Sequence, residues 1–135
     1  MERRTVLVVD DEPIFTGAAK KVLSRAGYEV ATAGALSGAL ALLHNCRFDA
    51  VITDLSLEGT RGQEGLAIAR TAKARNPAIC VILVTAFGSD EVRRKADEVG
   101  IELQLDKPVS LAHLVEVLAG FGVTGAGAGA DPGWT

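Results

Sequence analysis

Aromatic side chains are scarce: Phe, Trp and Tyr make up 4% of the 135 residues. The core must then be built from Val, Leu, Ile and Ala, and a hydrophobic fraction of 48% supplies them. The length suits one domain with a full core. Long apolar runs are also missing. None approaches the ~20 residues that a membrane-spanning helix needs. The stretch before Val6 is too short for a secretory leader. Positive charge is not in excess; the net charge of −3 argues against a general nucleic-acid-binding surface. The two cysteines, Cys46 and Cys80, form no C-x-x-C or Cys/His cluster. Both are expected to be buried or half-buried free thiols in a reducing cytoplasm.

What is present is a regular alternation of apolar runs and helical patterns. Val6–Val9 is a first strand. Pro13 suits the first turn of a helix, in which Phe15, Ala18, Ala19, Val22 and Leu23 recur at helical spacing before Gly27. Residues 28–33 read as a second strand. Leu36, Ala39, Leu40 and Leu43 mark a second helix. A third strand ends at Asp54, and a glycine-rich loop leads to a helix over 63–75 that Asn76-Pro77 stops. The run I-C-V-I-L-V-T, 79–85, is apolar throughout, as in a central parallel strand covered on both faces. A charged helix over 90–99, a strand over 101–106 and a helix capped by Ser110 follow. The Gly/Ala-rich 123–135 is expected to be a flexible tail beyond a domain of residues 1–122.

Five β-α repeats with right-handed crossovers give an α/β, doubly wound, five-stranded parallel sheet, and the order 2-1-3-4-5 suits them. Ligands in such sheets bind beyond the carboxyl ends of the strands, where the order reverses. Asp10 and Asp11 end strand one, Asp54 strand three, Thr85 strand four, and Lys107-Pro108 follows strand five. Three acids would converge beside one ammonium and one hydroxyl. Roughly three negative charges against one lysine leave room for a divalent cation. Mg²⁺ fits such an oxygen site, and Mn²⁺ could substitute. A hard cation beside a carboxylate is equipment for phosphoryl transfer, with Asp54 as nucleophile and Lys107 and Thr85 contacting phosphoryl oxygens.

These residues together, over about 5–122, resemble the receiver domain of bacterial two-component response regulators. The resemblance implies a flavodoxin-like (βα)5 fold and the 2-1-3-4-5 order. Asp54 would accept a phosphoryl group from a sensor histidine kinase or phosphotransfer protein. Asp10, Asp11, Asp54 and the Ser56 backbone carbonyl would hold Mg²⁺. Lys107 would pair with Asp54, its bond to Pro108 would be cis, and Thr85 would turn toward the phosphoryl group. The chain would be no enzyme beyond self-phosphorylation and slow autodephosphorylation. It would act in the cytoplasm, away from membranes and without direct nucleic-acid contact. The chain would be a stand-alone receiver whose output passes through a downstream protein or onward phosphotransfer, with a phosphorylation-dependent dimer left open.

Two positions depart from the family pattern. Gln104 stands where receivers usually carry a Tyr or Phe, and Glu58 where they usually carry Pro. Gln104 leaves a second reading open, a non-phosphorylated scaffold of the same fold. It also implies a response centred on the loop after Thr85 and the 90–99 helix, since a glutamine amide should stay hydrogen-bonded and out of an apolar pocket. Two other classes fit worse. A flavin mononucleotide carrier needs a phosphate-binding loop where this chain has Asp10-Asp11-Glu12, and an aspartyl phosphatase needs D-x-D there. His44 and His113 are expected at the surface or in packing, and 93–95 on a solvated face.

Overall fold

A computed structural model describes residues 3–57 and 62–125. Five strands, β1 (Thr5–Val9), β2 (Glu29–Ala33), β3 (Ala50–Asp54), β4 (Cys80–Thr85) and β5 (Leu103–Asp106), alternate with five helices. The helices are α1 (Pro13–Arg25), α2 (Leu36–Asn45), α3 (Glu64–Arg75), α4 (Asp90–Val99) and α5 (Leu111–Gly120). The strands form one parallel sheet in the order β2-β1-β3-β4-β5. The expected elements are all present. The second to fifth strands are one or two residues shorter than the apolar runs suggest. Tyr28, Phe48, Ile79 and Ile101 pack in the core while lying just outside the ladders.

Alternation along the strands splits the core into two layers. Leu7, Val9, Val51, Val81 and Leu83 face α2, α3 and α4. Val6, Val8, Ile52, Ile82 and Val84 face α1 and α5. Strands β3 and β4 are buried along their whole length, so continuous apolar sequence here does mean two covered faces. Helix α4 carries the clearest end signals. The Ser89 hydroxyl accepts from Val92 N, and Gly100 closes the helix at φ 90°, a left-handed conformation that suits a residue without Cβ.

Three expectations need correction. Ala18 is exposed, and α1 seals its layer with Ala19 and Leu23. Cys46 is exposed while Cys80 is buried; Cys46 caps the end of α2, one turn past the inward face that closes with Leu43. The C-terminal segment does not leave the domain at residue 123. Gly122 turns with φ 85°, Val123 N donates to Leu118 O at 2.8 Å, and Val123 is buried with its carbonyl accepting from the Tyr28 hydroxyl. A Cβ on Gly125 would meet the Ala26 carbonyl, so residues 123–125 lie against the α1–β2 turn. The rest of the expected tail, 126–135, and Glu58 lie outside the described residues.

Candidate functional site

The sheet delivers its polar residues to one end. Strand β1 ends against Asp10, and Asp10 N donates to Ala33 O at 3.1 Å, which continues the β1–β2 ladder. Strand β3 ends in Asp54, paired with Val84 of β4. Strand β4 ends in Thr85, and Lys107 N donates to Thr85 O at 2.9 Å, which brings the end of β5 alongside. Parallel strands in register therefore place four side chains from distant parts of the sequence at one rim.

Lys107 Nζ donates to Asp10 Oδ2 at 3.0 Å and to Asp54 Oδ2 at 2.8 Å. Asp10 and Asp54 are both buried, a setting in which carboxylates need partners. The other Asp10 oxygen, Oδ1, accepts from Glu12 N at 2.9 Å. Ser56 N makes a long 3.4 Å contact to Asp54 Oδ1. Partial burial alone would pull the Lys107 pKa down. The hydrogen bonds to Asp54 and Asp10, with their charges, outweigh this and raise it above 10.5. The Lys107-Pro108 bond is cis, as the resemblance implied.

One carboxylate oxygen from each of Asp10, Asp11 and Asp54 lies within 4.8 Å of the others. Asp11 is the exposed member, so the cluster opens to solvent on its side. Hard oxygen donors grouped this closely, with one ammonium bonded to two of them, fit a divalent cation of the Mg²⁺ type. A cavity of about 600 Å³ adjoins the cluster, bounded by Asp11, Asp54, Ser56, Thr85, Ala86 and Phe87. The Phe87 ring stands 87% exposed at its rim. Thr85 is buried, and its Oγ1 accepts from Phe87 N at 3.1 Å.

A match to the response regulator receiver domain model extends over residues 6–119. The chain belongs to this family. It is 33% identical over 131 residues to "Probable transcriptional regulatory protein TcrX" of Mycobacterium tuberculosis, covering 94% of this chain and 55% of that protein. It is 30% identical over 112 residues to the nitrogen assimilation regulatory protein NtrX of Azorhizobium caulinodans, covering 83% of this chain and 24% of that one. The chain thus spans about half or less of these relatives. A CheY-like receiver domain protein from Methanospirillum hungatei superimposes with a TM-score of 0.81 at 25% identity, over 88% of this chain and 93% of that chain. Receiver domains are signalling modules rather than enzymes in the ordinary sense. Phosphorylation and an acidic Mg²⁺ pocket are typical of them, as is interaction with histidine kinases or phosphotransfer proteins and with effector domains. Among the described residues, no helix is long and apolar enough to cross a membrane.

Three residues around the site escaped the sequence reading. Gly65 packs so closely that a Cβ would lie 2.3 Å from the Asp54 carbonyl oxygen, and its N–H donates to Leu55 O at 2.8 Å. Glu64 accepts from Leu57 N at 3.2 Å and so ties the start of α3 to the loop after β3. Gln63 accepts from Lys95 at 3.0 Å, a link between α4 and the entrance to α3. The composition of this loop signals a turn, but only proximity in the fold identifies its contacts.

Gln104 differs from expectation. Its amide is turned inward, and both Nε2 and Oε1 are shielded from solvent with no hydrogen-bond partner among the described residues. The requirement for a bonded amide thus does not keep it out of the interior. Each such group costs about 1–3 kcal/mol. As expected, His113 is exposed near Glu116, and His44 is exposed with its carbonyl and ring bound by Arg75. Arg93 and Arg94 are exposed, and Lys95 pairs with Glu91.

Proposed function

We propose that this chain is a phosphorylatable receiver that takes a phosphoryl group onto Asp54 from a phosphohistidine donor. The observation that carries this reading is the bonding of Lys107 to Asp54 beside a three-carboxylate cluster, at the mouth of a cavity that admits a donor. An Asp54 carboxylate oxygen attacks phosphorus, an O–P bond forms and the donor's N–P bond breaks. The imidazole leaves and takes up a proton from solvent. Lys107 orients Asp54 before attack, then follows the phosphoryl oxygens as negative charge moves onto them. The Thr85 hydroxyl can donate to one of these oxygens. Asp10, Asp11, Asp54 and the Ser56 carbonyl would hold Mg²⁺, which when bound supplies positive charge to the transferring group. Mn²⁺ has the same donor preferences.

Its partners are then a sensor histidine kinase or phosphotransfer protein and a downstream protein, with dimerisation on phosphorylation as a further output, all in the cytoplasm. The test is treatment with acetyl phosphate and Mg²⁺ followed by phosphate-affinity electrophoresis. A retarded band is expected, absent with EDTA and absent in Asp54→Asn. An unretarded wild type across donors and divalent ions would support a non-phosphorylated scaffold instead.

A further inference from the structure

We propose that Gln104 is a polar positioning residue, whose unpaired amide captures the β4–α4 loop when Thr85 turns to a phosphorylated Asp54. This rests on the phosphoryl-accepting reading above.

Gln104 pairs with Leu83 across the β4–β5 ladder, and Leu83 belongs to the layer under α4. Neighbours in a parallel ladder point to the same face, so Gln104 shares the α4 side with Thr85 and Asp106, each two residues further along. Gly88 fixes the position of the amide. A Cβ built there would lie 2.9 Å from Gln104 Nε2, 3.4 Å from Asp106 Oδ1 and 3.5 Å from Thr85 Cγ2. The amide thus occupies the space a side chain at 88 would need, directly beneath the loop.

Two facts give this placement a consequence. In the resting state Thr85 Oγ1 accepts from Phe87 N, while both Gln104 amide atoms are buried and have no partner among the described residues. A phosphoryl group on Asp54 brings acceptor oxygens within reach of the Thr85 hydroxyl, which lines the same cavity. When Thr85 rotates toward them, the Phe87 N–H loses its acceptor. Gln104 Oε1 is then an unused acceptor beneath a loop that carries an unused donor, and Nε2, beside Gly88, can donate to a loop carbonyl. Pairing them removes desolvation costs present only in the resting state. That difference between states is what lets a modification shift a conformational equilibrium. A glutamine that merely fills space would make no distinction between them.

The test compares wild type with Gln104→Met, which keeps the length and drops the amide. Asp54 occupancy after acetyl phosphate and Mg²⁺ is measured first. Melting temperature and amide hydrogen exchange at Phe87 and Gly88 are then followed with and without beryllofluoride and Mg²⁺. Gln104→Met should phosphorylate as wild type does and melt higher than wild type when unmodified. In wild type, the Phe87 amide should keep its protection on activation, because Gln104 Oε1 takes the place of Thr85 Oγ1; in the variant its exchange should speed on the order of tenfold, the worth of one lost hydrogen bond. A variant that melts no higher and keeps the wild-type protection at Phe87 on activation overturns the inference while leaving the phosphoryl-accepting reading intact. A wild type that takes up no phosphoryl group overturns both.

Discussion

Replacing Gly65 with alanine pits two effects against each other close to the phosphoacceptor. By helix propensity alone the change favours α3 by up to about 1 kcal/mol. The structure opposes it. The new Cβ would sit 2.3 Å from the Asp54 carbonyl oxygen and 2.8 Å from Leu55 Cα. Ordinary contact begins near ~3.5 Å, and both neighbours are backbone, which has no flexible end to swing away. Either α3 retreats by about 1 Å or the end of β3 moves, at an overpacking cost of ~1–3 kcal/mol. The hydrogen bond from Gly65 N to Leu55 O is stretched in the first case, a further loss of about 1 kcal/mol. The net expectation is a destabilisation of roughly 1–3 kcal/mol, or a Tm lower by about 4–10 °C for a domain of this size. Because misplacement by ~1 Å can slow a reaction ~100-fold, labelling of Asp54 by acetyl phosphate should also slow. Thermal denaturation followed by circular dichroism reads the first effect, and the time course of labelling the second. Gly17→Ala is the control: it lies within α1 with nothing within 4 Å of its Cβ position, so propensity should act unopposed and raise Tm. A Gly65→Ala protein that is more stable than wild type and labels at the wild-type rate would refute the reasoning.

Lys107→Met should lower stability by about 2 kcal/mol without divalent ions, since it strips the partner from two buried carboxylates but sits at a partly exposed rim. Mg²⁺ titrated against Tm should stabilise this variant more than wild type, because the metal no longer competes with an ammonium. Thiol labelling at neutral pH should modify Cys46 readily and Cys80 only on unfolding. Burial, then the charge of Glu102, pushes the Cys80 thiol up to about 11 from 9.0, with Lys73 opposing. Its contribution to stability is therefore complete below pH 9 and is lost as pH rises toward 11, so denaturant midpoints should fall over that window and fall less in Cys80→Ala. Burial likewise raises the Tyr28 pKa, and Tyr28→Phe, which loses the bond to Val123 O, should cost about 1 kcal/mol and speed proteolysis at the C-terminal end.

The parts of the site readable from sequence are those placed by strand ends. A run such as V-L-V-V ends where its acids begin, and parallel topology does the rest. Asp10, Asp54, Thr85 and Lys107 therefore converge as their positions in the chain imply. Contacts that depend on a close approach between loops were not readable. Gly65 looks like any loop glycine until α3 is set against Asp54. Val123 looks like part of an unpackable tail until Gly122 turns it onto Tyr28. Gln104 was legible as a departure, but not the direction of its amide: Gly88, sixteen positions earlier, leaves the space it fills.

The most direct test of the central claim is the site of phosphorylation. After acetyl phosphate and Mg²⁺, borohydride reduction of the acyl phosphate and peptide mass mapping should place a single modification on Asp54, absent in Asp54→Asn and after chelation. Modification at another residue, or labelling that survives loss of Asp54, would contradict it.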